Sequence, residues 1–126
     1  MAMKYKLTQR ANPQNRQASG KWYASPVNDG RISKKDISAD IVTLSSLARG
    51  DVSNVIDSLV DTVPKYLLMG KSVNLGDLGT FRLSFTSKGV DTPETSNTNM
   101  ISGVKVIFTP SSELKSLLKK TSFEKE

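Results

Sequence analysis

Histidine and cysteine are the side chains best suited to proton transfer near neutral pH and to transition-metal binding, and this 126-residue sequence contains neither. Their absence excludes disulfides, thiolate nucleophiles and Cys-ligated zinc, and it fits a reducing compartment. Carboxylates remain, but Asp36 and Asp40 stand one helical turn apart in an acidic stretch. That spacing reads as a solvated or capping face rather than an acid–base couple. Gly76 to Gly79 is not a phosphate loop, because neither a Gly-Lys-Ser/Thr run nor a helix follows it. The sequence therefore predicts no enzyme, no cofactor, no metal site and no small-molecule substrate.

What the sequence does have is cationic charge, unevenly placed. Lys and Arg number 18 against 12 Asp and Glu, a net charge of +6. Residues 1–35 hold eight Lys or Arg and one acid, whereas residues 36–80 hold three basic and six acidic residues. Residues 81–126 return to a basic balance, seven against five. Basic ends around an acidic middle point to a polyanion such as nucleic acid, and otherwise to a solvated surface serving solubility.

The elements that position these charges follow from apolar periodicity. KYKLTQR alternates Tyr5 and Leu7 with Lys4, Lys6 and Thr8, a half-buried strand pattern. ANPQNRQASG reads as a loop and GKWYASPV as a second strand, giving an N-terminal hairpin with Arg10, Arg16 and Lys21 on or beside its loop. Ser33 and Asp36 resemble a capping box before a helix from about residue 34 to 46 carrying Ile37, Ile41 and Leu44. A second helix carries an apolar stripe from Val52 to Val63, has Asp51 at its start, Gly70 after its end, and a bend expected at Pro64. Beyond Gly70 the period switches to two. Residues 72–75 read as a strand, 76–79 as a turn, 80–87 as a strand, and GVKVIF as a returning strand after a polar excursion. Thr109 is expected to cap a closing helix with Pro110 at its first position and Leu114, Leu117 and Leu118 on one face, after which the last residues fray.

This order, together with LGDLGTF (Leu75–Phe81) and FTPSSELK (Phe108–Lys115), resembles the HU and integration-host-factor family of bacterial DNA-bending proteins over roughly residues 33–120. The first motif is similar to that family's L-P-G-F-G-T-F and the second to its F-x-P-x-x-x-L-K. The N-terminal extension looks like that of extended HU-related proteins from Bacteroides-type bacteria. The resemblance implies an α+β fold in an intertwined dimer: a helical hairpin, a three-stranded antiparallel sheet with a protruding β-arm, a short C-terminal helix, and a β extension. Residues 1–32 would form the basic extension and residues 33–126 the DNA-binding domain, with the arm at about 86–105.

In that family two arms reach around the minor groove, and a tip proline wedges between base steps. Here the arm segment contains Lys88, Asp91, Glu94 and Lys105, for no net charge, and Pro93 lies near the tip within DTPET. The acids beside Pro93 favour an ordinary turn proline over a wedge. Arg82 and Lys105 are expected to contact the DNA backbone. Lys115 matches the family's L-K lysine and Lys119 follows one turn later, where both also complement a helix dipole. Phe81, Phe85 and Phe108 are expected in the core, and Trp22 and Tyr23 against the body.

The expected function is that of a homodimeric, histone-like protein that binds duplex DNA largely without sequence preference, in the bacterial cytoplasm and nucleoid, with no membrane partner. Lys4, Lys6, Arg10, Arg16 and Lys21 would supply much of the attraction. The alternative is an HU-fold module for protein interaction that has lost DNA bending.

Overall fold

In a computed structural model, which describes every residue but 1, 12 and 15–19, the chain divides into two compact units. One comprises Met1–Ser33 with Leu117–Glu126, the other Lys34–Ser116.

The larger unit begins with a helical hairpin, α1 (Lys34–Leu44) and α2 (Arg49–Leu68). Lys34 Nζ bonds Asp57 Oδ1 across the pair at 2.8 Å, but both side chains are about half exposed, so this contact contributes little. Val52 and Leu67 are buried, and Ser38 sits buried with its hydroxyl donating to the Lys34 carbonyl. The helix α2 continues through Pro64, which lacks the N–H that would reach the Val60 carbonyl. It ends as its sequence indicates: Gly70 takes φ +78, its amide bonds the Leu67 carbonyl, and the Lys71 amide bonds that of Tyr66. These two bonds are a Schellman motif.

The strands β3 (Val73–Asn74), β4 (Gly79–Ser87) and β5 (Ile101–Pro110) form an antiparallel sheet in that order. Between β3 and β4 the Leu75 amide donates to the Gly79 carbonyl. Gly79 has φ +150, and a Cβ there would lie 2.4 Å from the Thr109 oxygen and 2.8 Å from the Phe108 ring. Only glycine lets the turn close against β5. The ring of Phe108 packs on Phe81 at a centroid distance of 4.9 Å.

The closing helix differs from expectation. Strand β5 runs through Thr109 and Pro110, leaving Ser111 to cap α3 (Ser112–Leu118). Ser111 Oγ accepts from the Leu114 amide and donates to the Asp77 carbonyl, while its own amide bonds the Leu78 carbonyl. One serine thus ties the glycine turn to the helix start. Thr109 cannot cap because its backbone is committed to pairing with Thr80.

The smaller unit is a three-stranded sheet in the order β2-β1-β6. Strands β1 (Met3–Arg10) and β2 (Lys21–Pro26) form the expected hairpin, Tyr5 opposite Pro26 and Arg10 opposite Lys21. The third strand is a correction: β6 (Phe123–Lys125), expected to fray, pairs in parallel with β1 in the register Met3–Phe123 to Tyr5–Lys125. The Met3 amide bonds the Ser122 carbonyl and the Glu126 amide that of Tyr5.

Candidate nucleic-acid interface

Strand register sorts the side chains of the smaller sheet onto two faces, because paired residues share a face and neighbours along a strand alternate. Lys4, Lys6 and Arg10 of β1 lie on one face with Lys21, Tyr23 and Ser25 of β2. All four cations are exposed, and Glu124 is the one acid that the β6 register adds. The Arg10 guanidinium lies 5.2 Å from the Tyr23 ring centroid, and Thr8 Oγ1 lies 3.2 Å from Ser25 Oγ. The cation–π contact restrains Arg10, and a guanidinium stacked on a ring can still donate from its edge to an anion.

The opposite face carries Met3, Tyr5, Leu7, Trp22, Ala24 and Phe123. Trp22 is 62% exposed there and Phe123 68%. Trp22 and Tyr23, expected against the body, are adjacent in a strand and project from opposite faces of the sheet, 62% and 44% exposed.

Within the segment expected to form the arm, strand pairing gives way to turns. Pairing of β4 with β5 ends at Ser87–Ile101, closed by a bond from the Lys88 amide to the Met100 carbonyl. The tip then folds into two 3-10 turns, Pro93–Thr95 and Thr98–Met100, the second capped by Asn97 Oδ1 on the Asn99 amide. Pro93 therefore opens a compact turn beside Glu94. On the way a bulge between Ser84 and Thr86 places Gly103 at φ +63 with Thr86 Oγ1 2.6 Å from where a Cβ would stand.

Below the bulge Arg82 and Lys105 share a face as diagonal neighbours, Arg82 opposite Ile107 and Lys105 opposite Ser84. Both are exposed. The other face of the arm holds Leu83, Phe85 and Val106; Phe85 is 55% exposed, so the expected core there is not closed within the chain. Lys115 lies in the last turn of α3, and Lys119 just beyond its end. Arg16 lies outside the described residues.

The sequence-derived cations thus group as four on one sheet face and two on one arm face. Sequence reasoning missed Tyr23 as the partner of Arg10 and the strand that completes the sheet. Alternation along β1 already separated Lys4 and Lys6 from Tyr5 and Leu7, but the β2 register was needed to add Lys21. Among the described residues no cluster of acidic side chains is arranged to hold a metal, and no helix is long and apolar enough to cross a membrane.

The helical hairpin and the three-stranded antiparallel sheet with its β4–β5 hairpin define an HU-like fold. Residues 1–125 match the HU-HIG family, described as an HU domain fused to a winged-helix, immunoglobulin-like or glycine-rich motif, and the chain belongs to that family. Among solved structures, a Bacteroides vulgatus protein proposed to bind DNA aligns over 98% of this chain with a TM-score of 0.68 and 18% identity. The alignment takes in 48% of that protein, so this chain spans about half its length. Anabaena HU, crystallised with DNA, aligns over 71% of this chain and 99% of its own, with a TM-score of 0.55 and 14% identity. Among curated proteins, none matches the chain.

Proposed function

We propose that this chain is a dimeric HU-type protein that binds duplex DNA through phosphate contacts, largely regardless of sequence. The observation that carries this reading is the alignment of Lys4, Lys6, Arg10 and Lys21 on one exposed sheet face. Four cations on a flat strand surface match the spaced charges of a phosphate backbone, and neutralising phosphates releases counterions. Arg82 and Lys105 add a second cationic pair on the arm. Neither group has the Asn, Gln or Arg array suited to paired base-edge contacts, which supports binding without sequence preference.

Dimerisation is supported by unspent apolar surface. The chain exposes 10696 Å², whereas two separate globules of its units' lengths would expose about 8,000 Å². Exposed apolar side chains on the helical hairpin include Leu44 at 87% and Val60 at 66%, and Phe85 on the β4–β5 hairpin is 55% exposed. A partner covering such side chains would gain about 1.5–3 kcal/mol for each one fully buried.

The arm tip favours binding without insertion. Asp91 and Glu94 repel phosphates, and Pro93 is committed to a 3-10 turn. Mobility shift on plain duplex DNA, with sedimentation of the free protein, tests the whole reading. Binding that weakens steeply with salt and a dimeric mass are expected. A monomer at micromolar concentration, or no shift at low ionic strength, would leave only the protein-interaction alternative.

A further inference from the structure

We propose that the apolar face of the N-terminal sheet is an interface with the same face of a second copy of this chain. A sheet that stays folded needs a second layer against its apolar side. In this unit no described side chain is fully buried, although Met3, Leu7, Trp22 and Phe123 all lie on that one side. A depression of about 420 Å³ opens there between Met3, Tyr5, Ala24 and Phe123, large enough to receive an aromatic side chain from an opposing sheet.

Two features favour a second copy as the occupant. The first is area. The exposed parts of Trp22, Phe123, Met3 and Leu7 amount to about 500 Å², so two such faces meeting bury about 1,000 Å², the threshold of a specific interface. The second is charge. The face is self-complementary, since Lys125 and Glu126 border the same depression as Leu7 and Trp22. In a twofold contact each Lys125 can meet Glu126 of the second copy. Lys4, Lys6, Arg10 and Lys21 lie on the reverse side, so among the strand residues Lys125 is the one cation on the paired face, and each copy keeps its basic face outward. Such a pair would present two phosphate-binding surfaces pointing apart, a consequence that rests on the DNA-binding reading; the pairing itself does not.

The absence of cysteine makes the test direct. Ala24→Cys places a single thiol on the apolar face, and Lys21→Cys places one on the basic face. A short bismaleimide should join Ala24→Cys chains into covalent dimers in the absence of DNA, at least tenfold more efficiently than Lys21→Cys chains. Adding Leu7→Lys to Ala24→Cys should abolish the product while far-ultraviolet circular dichroism stays unchanged. Trp22, the one tryptophan, gives a second readout that needs no substitution: its emission should shift to the blue as wild-type concentration rises. Failure of Ala24→Cys to cross-link overturns the proposal. So does emission already blue-shifted at nanomolar concentration, which would mean that the chain covers this face itself.

Discussion

Replacing Lys4, Lys6, Arg10 and Lys21 together by glutamine removes the positive charge of one sheet face, leaves Glu124, and keeps side chains of similar reach. All four are exposed, so the fold loses little beyond the Arg10–Tyr23 contact, worth about 0.5–1 kcal/mol at such a site. The effect on binding is far larger. If these four and the pair Arg82 and Lys105 each neutralise one phosphate, one engaged protomer makes six contacts, and the slope of log K against log salt is about −5.4. Affinity then falls roughly 10³-fold between 50 and 200 mM salt. The quadruple variant keeps two contacts, a slope of about −1.8 and a loss of only about tenfold over the same range. Fluorescence anisotropy with a labelled duplex at four or five salt concentrations measures both slopes. A variant that is folded by circular dichroism yet has a slope within one unit of wild type would refute the assignment of this face. Point changes are required here, since deleting residues 1–32 would also leave β6 without its partner strand.

Three further outcomes follow from single positions. Gly79→Ala forces a Cβ against the Thr109 carbonyl and the Phe108 ring at a φ of +150, and should lower stability by more than about 2 kcal/mol in urea denaturation. Ser111→Ala removes the α3 cap and the tether to the Asp77 carbonyl, and should cost about 1–2 kcal/mol, read as a lower thermal midpoint; an unchanged midpoint would mean the capping bonds contribute nothing. Pro93→Ala should leave DNA affinity and the end-to-end energy transfer of a labelled duplex unchanged, and a loss of bending would establish Pro93 as a wedge after all.

The elements legible in the sequence were those with long periods or strong punctuation. The stripe from Val52 to Val63 with Gly70 behind it located α2 and its end, and Gly76 and Gly79 located the turn before the arm. Three features were not legible, each for a physical reason. Strand β6 is three residues long within a polar, charged segment, so it has no pattern of its own and exists by pairing with a distant edge. The cap of α3 moved to Ser111 because strand pairing outcompeted Thr109's local preference. Phe85 looked like core because strand alternation identifies an apolar face without saying what covers it. For the candidate site, the sequence offers the cations as candidates, but which of them share a face required knowing which residue of β2 stands opposite which residue of β1.

The parallel pairing of β6 with β1 has a consequence for biosynthesis. Phe123 is made 120 residues after the Met3 it pairs with, which at ribosomal speeds is a delay of roughly 6–24 s. The β1–β2 hairpin can close within microseconds of its own synthesis, but two strands alone are marginal, so the edge of β1 stays open throughout that delay. The helical hairpin and arm emerge and can settle meanwhile. Nascent chains therefore carry an uncapped strand with Met3, Tyr5 and Leu7 on one face, and Lys4, Lys6 and Arg10 on the other guard that edge against mispairing between neighbouring polysomes.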